Sequence, residues 1–199
     1  HAAVARIRPD AVINCAAYNA VDRAETCAAD AMRINAIAVR SIVRAVGGAA
    51  FVHYGSDFVF DGTTDRPYRE TDPANPVSVY GMSKLLGEWF ATDAPRGYVL
   101  RVESLFGRAP DAAPAKGSIA TIVEALRSGR RPRVFVDRVV SPTHVMDCAA
   151  ATLALLERDA APGLYHCVNT GSCTWYELAQ EAARLLGVPA DLEAVKLAD

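Results

Sequence analysis

The sequence predicts an α/β protein, a doubly wound parallel sheet followed by a smaller α/β region. Three observations predict it. Short apolar runs of strand length carry almost no charge, as strands buried on both faces do. They alternate with helical patterns in a strand, helix, strand, helix, strand rhythm, which argues for a parallel sheet with helices on both faces. Beyond Gly107 the texture changes to shorter, less regular elements.

Arg8-Pro9 leads into the first strand, Asp10 to Cys15, and a long helical pattern follows from about Glu25 to Val46. Met32, Ile34, Ile37, Ala38, Ile42 and Val43 are spaced there for one broad apolar stripe, and Gly47-Gly48 stops the helix. Ala50 to Tyr54 is the second strand, ending at Gly55-Ser56-Asp57. The stretch from Phe60 to Val79 is a loop rich in Asp, Pro, Thr and Asn, and a loop of that length in a domain is usually functional. A helix is predicted from about Val79 to Thr92 and a third strand over Tyr98 to Val102. A loop containing Pro110 and Pro114 then leads to a helix near Ser118 to Ser128 and a strand at Arg133 to Val136. Ser141-Pro142-Thr143 opens a helix running to about Glu157, and Leu164 to Val168 forms a strand. Thr174-Trp-Tyr-Glu177 has the signature of a capping box, opening a helix that ends at Gly187.

The chain has 199 residues, enough to bury a core without disulfides or metals. A net charge of −2, from 21 basic and 23 acidic residues, gives no electrostatic footprint for nucleic acid or an anionic membrane. No apolar run reaches the length of a membrane span. The five cysteines, Cys15, Cys27, Cys148, Cys167 and Cys173, are odd in number and form no CxxC pair. They read as small buried hydrophobes in a reducing, cytoplasmic setting, not as a disulfide framework or a zinc site. His53, His144 and His166 lack metal-ligand spacing, and Trp89 and Trp175 read as packing anchors.

The sharpest local feature is Tyr80-Gly-Met-Ser-Lys84. On a helix, positions i and i+4 share a face, so phenol and ammonium project to the same side. A Tyr near its reference pKa of about 10 is a poor proton shuttle at neutral pH. A neighbouring ammonium favours the phenolate and can also hydrogen-bond a cofactor ribose. The alternative is a packed Tyr and a solvated Lys on an amphipathic helix. Ser56 follows a buried strand, and ligand sites in open α/β sheets lie beyond the carboxyl ends of strands. Its hydroxyl could orient a carbonyl, or simply cap a turn. Asn14, Cys15, Ala16 and Ala17 end the preceding strand and are small enough for a planar cofactor to approach the backbone.

These residues resemble the extended short-chain dehydrogenase/reductases and, within them, the dTDP-4-dehydrorhamnose reductases. The resemblance runs from Arg8-Pro-Asp-Ala-Val-Ile-Asn-Cys-Ala-Ala-Tyr18 through Val21-Asp22, Ala24-Glu25 and Ile34-Asn35-Ala36. It continues with Gly55-Ser-Asp-Phe-Val-Phe-Asp-Gly62, Tyr68 with Glu70, and Asn75-Pro76 before Tyr80 and Lys84. Leu100-Arg101, Leu105-Phe106-Gly107, Ser141-Pro142-Thr143 and Trp175-Tyr176 complete it. The resemblance implies a Rossmann-like fold and reduction of the 4-keto group of a nucleotide-linked deoxysugar by NADPH or NADH. Tyr80 would donate the proton, Lys84 would hold the nicotinamide ribose and lower the Tyr80 pKa, and Ser56 would hydrogen-bond the sugar carbonyl. Asn14, Cys15, Ala16 and Ala17 would border the cofactor. Asn19, Asp57, Phe58 and Ser104 would border the substrate, and Asn35 would help position the catalytic helix.

The sequence departs from the family in three places. No glycine-rich phosphate-binding motif occurs among the 13 glycines. The resemblance puts that motif upstream of residue 1, so the expectation is a chain lacking its first βαβ portion and its closing segment, which on its own binds dinucleotide poorly. Val102-Glu103-Ser104 offers no aromatic surface after Arg101, and Asp137-Arg-Val-Val-Ser141 carries Arg138 and Val140 where the family pattern has other residues. The expected division is 1–107, a partial NAD(P)-binding domain with the catalytic residues, and 108–199, a partial nucleotide-sugar-binding region. The expected partner is the nucleotide-sugar, without nucleic acid or membrane, and a homodimer is compatible with the reading. Two alternatives are a non-catalytic NAD(P)-binding regulatory subunit, like the methionine adenosyltransferase beta subunit, and a nucleotide-sugar epimerase or dehydratase.

Overall fold

The structure, a computed structural model, describes residues 2–108 and 117–197. The loop expected around Pro110 and Pro114 lies outside the described residues. In chain order come α1 (Ala2–Ile7), β1 (Ala11–Asn14), α2 (Val21–Ala24), α3 (Ala28–Met32), a π-helical segment (Arg33–Ile37), α4 (Ala38–Val46) and β2 (Ala50–Ser56). A 3₁₀ turn (Asp57–Val59) then leads through a long loop to α5 (Val79–Thr92), β3 (Gly97–Val102) and β4 (Leu105–Phe106). The remainder is α6 (Ser118–Arg127), β5 (Arg133–Phe135), β6 (Val139–Val140), β7 (Thr143–His144), α7 (Val145–Glu157), β8 (Gly163–His166), β9 (Cys173–Thr174), α8 (Trp175–Leu186) and β10 (Glu193–Val195).

The chain forms two units, His1–Val102 with Thr152–Cys167, and Glu103–Ala151 with Val168–Asp199. The sequence reading has one boundary, at 107–108. Here the chain returns to the first unit for residues 152–167, because β8 pairs with β3.

The first unit holds a four-stranded, all-parallel sheet in the order β1-β2-β3-β8. Its apolar runs are explained by cover on both faces. Val39, Val46, Phe51, Ala91, Ala94 and Val99 form one buried cluster. Ala50, Val52, Tyr98 and Leu100 form another, against Leu155, Leu156 and Ala160.

The long helical stretch departs from the expected stripe. Ala31, Asn35, Ala36, Val39 and Val46 are buried, while Ile37 is 51% exposed and Ala38 is exposed. The π segment is the cause. An i→i+5 turn accommodates one extra residue, which rotates everything beyond it by about 100° and brings Asn35 inward. Helix α5 occupies the expected residues. The Ser78 hydroxyl accepts from the Gly81 amide at 3.0 Å and the Glu25 carboxylate from the Val79 amide at 2.9 Å, so two amides of its first turn are satisfied. Its buried face carries Tyr80, Lys84, Gly87, Glu88 and Ala91, which leaves Trp89 59% exposed and not a packing anchor.

The second unit buries Ile122, Leu126, Val134, Val140, Trp175, Ala179, Ala183 and Leu192 together. Thr174 and Glu177 make the full capping box of α8, and Gly187 ends that helix in the left-handed conformation (φ 68°). The helix expected from Ser141 begins at Val145 instead, since Thr143–His144 pairs with Leu105–Phe106. Of the cysteines only Cys148 is buried, and Cys15 is exposed, so the expectation of five small core residues does not hold. No helix among the described residues is long and apolar enough to cross a membrane.

Candidate active site

Ser56 is the last residue of β2, not a residue beyond it, and Tyr80 stands in the first turn of α5. Both are buried, at 5% and 8% exposure. Gly81 allows the approach of the two elements: a Cβ there would lie 2.2 Å from the carbonyl oxygen of Phe58. The Phe58 ring meets the Tyr80 ring edge-on at 5.3 Å. The Ser56 hydroxyl donates to the Asp57 carboxylate at 3.1 Å and accepts from the Phe58 amide at 3.3 Å.

The expected depression of the Tyr80 pKa by Lys84 is not found. Burial pushes the phenol up, the Ser56 hydroxyl works against that, and the Asp57 carboxylate adds to it. Lys84 is 3% exposed and its ammonium donates to the Tyr54 carbonyl oxygen. Burial lowers its pKa to about 8, with Glu88 acting in the opposite direction.

Asn35 ties this helix to the chain beyond β1. Its Oδ1 accepts from the Tyr18 amide at 2.7 Å, and its Nδ2 donates to the Tyr18 carbonyl at 3.1 Å and to Ser83 Oγ at 2.9 Å. Ser83 in turn donates to the Tyr80 carbonyl at 2.7 Å. Gly87 makes the packing close, because a Cβ there would lie 2.1 Å from the Asn35 carbonyl oxygen.

Asn14 closes β1 with a buried side chain. Its Oδ1 accepts from the Ala16 amide at 3.2 Å, and its Nδ2 faces His53 Nδ1 at 3.1 Å. Donation from Asn14 makes Nδ1 the acceptor and leaves the ring proton on Nε2, where it meets no partner. Burial, with Lys84 adding to it, lowers the His53 pKa to about 3. Cys15 and Ala16 are exposed, Ala17 is half-buried and Asn19 is exposed. Ser104 belongs to the second unit, where its backbone is left-handed (φ 44°) and its carbonyl accepts from the Thr143 amide at 3.4 Å.

Glu88 escapes the sequence reading, and Arg101 enters it only as part of the resemblance. Glu88, one turn beyond Lys84, accepts from Arg101 Nε at 3.0 Å and Nη2 at 2.8 Å in a fully buried ion pair. The four-residue interval from Tyr80 through Lys84 to Glu88 is the signal that could have found the carboxylate. The guanidinium also lies 4.9 Å from the centre of the Phe60 ring, which stacks on Tyr68 at 4.1 Å. The loop after Phe60 is organised by Asp61, which accepts from Tyr68, Asn75 and Thr63; these hydrogen bonds hold its carboxyl far below the usual carboxylate range.

Ser56, Tyr80 and Lys84 are thus all buried, at the end of β2 and along the first turns of α5. The family model described as RmlD substrate binding domain matches residues 1–199. The chain belongs to the RmlD substrate-binding-domain family. A probable dTDP-4,6-dihydroxy-2-methyloxan-3-one 4-ketoreductase of Streptomyces antibioticus is 39% identical over 93% of this RmlD-family chain and 62% of its own length. A dTDP-4-dehydrorhamnose reductase of Streptomyces griseus is 37% identical, again over 93% of this chain and 62% of its own. Among solved structures, the dTDP-4-dehydrorhamnose reductase of Bacillus anthracis in complex with NADP superposes with a TM-score of 0.91 at 31% identity, over 99% of this chain and 69% of that one. The chain thus spans a little over three fifths of the length of the curated relatives it matches.

Proposed function

We propose that this chain carries the proton-donating part of an NADPH- or NADH-dependent reductase that acts on the 4-keto group of a dTDP-linked deoxysugar, with dTDP-4-dehydrorhamnose, reduced to dTDP-L-rhamnose, as its substrate. The observation that carries the reading is the closeness of Ser56 and Tyr80 at the carboxyl end of β2, with Lys84 one turn along the same face. The names of its relatives favour the 4-keto position. On this reading the first unit serves the cofactor and proton transfer, the second serves the nucleotide-sugar, and the work is cytoplasmic.

The residues present fit the nicotinamide end of the cofactor. Cys15 and Ala16 leave the backbone open beyond β1, and Lys84 keeps donor capacity after its bond to the Tyr54 carbonyl. The chain's own glycines supply no phosphate cradle. When bound, the dinucleotide supplies the hydride. Tyr80 Oη gives its proton to the developing alkoxide oxygen at C4. The raised pKa keeps the phenol protonated until that oxygen arrives, and a bond from the ammonium of Lys84 stabilises the phenolate left behind. Ser56 turns its hydroxyl from Asp57 to the same oxygen, while Asp57, Phe58 and Asn19 border the sugar.

The test supplies dTDP-4-dehydrorhamnose with NADPH or NADH to the full-length protein and follows loss of reduced cofactor. Turnover is expected, and Tyr80→Phe lowers kcat by about 10²–10⁴-fold. Cofactor binding without turnover would instead favour the regulatory reading.

A further inference from the structure

The buried pair Glu88–Arg101 joins α5 to β3. Glu88 is 1% exposed and Arg101 6%, and one oxygen of the carboxylate and one terminal nitrogen of the guanidinium have no hydrogen-bond partner. Leaving such atoms unsatisfied is expensive, and an apolar pair of similar volume is often as stable or more so. The end of β2 is shaped around the carboxylate: a Cβ on Gly55 would lie 2.3 Å from Glu88 Oε1. Gly55 precedes Ser56, and Glu88 follows Lys84 by one turn of α5, so one carboxylate adjoins both ends of the candidate site. Arg101, from the neighbouring strand, grips it through two nitrogens and lies over Phe60 of the loop.

We propose that Glu88, clamped by Arg101, is a positioning residue for Lys84, its carboxylate supplying the negative charge that holds the buried ammonium in its charged form against the Tyr54 carbonyl. The groups around Lys84 fit that role. His53 on β2 and Tyr80 one turn back on α5 are neutral at physiological pH, with His53 lowered to about 3 and Tyr80 raised; burial pushes the Glu88 carboxyl up, and the ion pair with Arg101 on β3 works against that to keep it ionised. Glu88 is the group that raises the Lys84 pKa against the burial that lowers it to about 8.

The inference rests on the reductase reading only for its catalytic consequence, so the test reads Lys84 directly. The titration is followed by NMR of ¹³Cε-labelled lysine in the full-length protein, the Lys84 signal being assigned by its loss in Lys84→Met. In Glu88→Gln the Lys84 midpoint is expected to fall by about one pH unit, the size of one lost neighbouring charge. Glu88→Asp restores it toward the wild-type value. If Glu88 served only to pack the helix, the variant would loosen the site, hydrate the ammonium and move the midpoint up toward 10.5. A rise or no change therefore overturns the proposal. Should Glu88→Gln fail to fold, the double change Glu88→Gln with Arg101→Met removes both buried charges, and a smaller fall is expected, because the like charge of Arg101 is lost with the carboxylate. In an active enzyme the alkaline limb of the pH–rate profile follows the midpoint downward. Absence of turnover alongside a lowered midpoint refutes the reductase reading alone, and turnover with an unmoved midpoint refutes this inference alone.

Discussion

The two units solve the problem of an interior in opposite ways. In the second, α6 and α8 enclose Ile122, Leu126, Trp175 and their neighbours, and the ion pairs Arg131–Asp191, Arg133–Glu193 and Arg184–Glu181 are exposed. In the first, the wall behind α5 buries Asn14, Asn35, His53, Ser56, Ser83, Lys84, Glu88 and Arg101. Among the described residues, every buried side-chain polar atom without a hydrogen-bond partner, on Tyr18, His53, Glu88, Arg101 and His166, lies in that first unit. Buried polar groups short of partners weaken a fold. Their concentration in one unit is what the proposed function requires, since functional sites are where such exceptions gather.

The largest expected effect tests the apolar side of the contrast. Trp175→Ala removes the biggest member of the second unit's core and is expected to lower the stability of that unit by about 3–5 kcal/mol in urea unfolding. A loss below about 1 kcal/mol would break the comparison, because packing would then not be what holds this unit.

The next test is of the polar side. His53 is neutral when folded, with a pKa of about 3 against 6.5 when unfolded. The unfolded chain therefore binds the extra proton as pH falls below 6.5, and stability declines by about 1.4 kcal/mol per pH unit until the folded pKa is reached. His53→Gln is expected to remove that part of the slope, measured as urea midpoints across the same pH range, with no change above pH 7 in its pH dependence. A slope that persists unchanged assigns the acid sensitivity to other groups.

The smallest effect sharpens the contrast at a helix end. Thr174→Ala removes both hydroxyl contacts of the α8 capping box and costs about 1 kcal/mol at any pH where Glu177 is ionised. A calorimetric scan of this variant should show the first unit unaffected.

What could be read in advance follows the same division. The bounds of α5, the strands of the parallel sheet and the α8 capping box depend on local chemistry and apolar period, and these are written in consecutive residues. A motif and a resemblance singled out Tyr80, Lys84 and Ser56, and the structure buries all three. The π segment was not, because Arg33–Ile37 differs in no local way from an ordinary helical stretch. Its insertion becomes visible only when Asn35 is found bonded to Tyr18 and Ser83. The burial of Glu88 with Arg101 was equally hidden, since each alone looks like a surface charge and only the packing of α5 against β3 brings them together. Trp89 misled for a related reason: aromatic character favours burial, but the face of α5 was already allotted to Tyr80, Lys84, Gly87 and Glu88.

That exposed Trp89 has a practical use. The sequence contains two tryptophans, and each unit has one, solvent-facing in the first and 8% exposed in the second. Indole emission moves to longer wavelength in water, so Trp175 alone has a large spectral shift left to make on unfolding, while Trp89 already emits as a hydrated chromophore. A Trp89→Phe change leaves Trp175 as the one indole of these 199 residues, so emission excited beyond the absorption of tyrosine follows the apolar unit in a melting experiment.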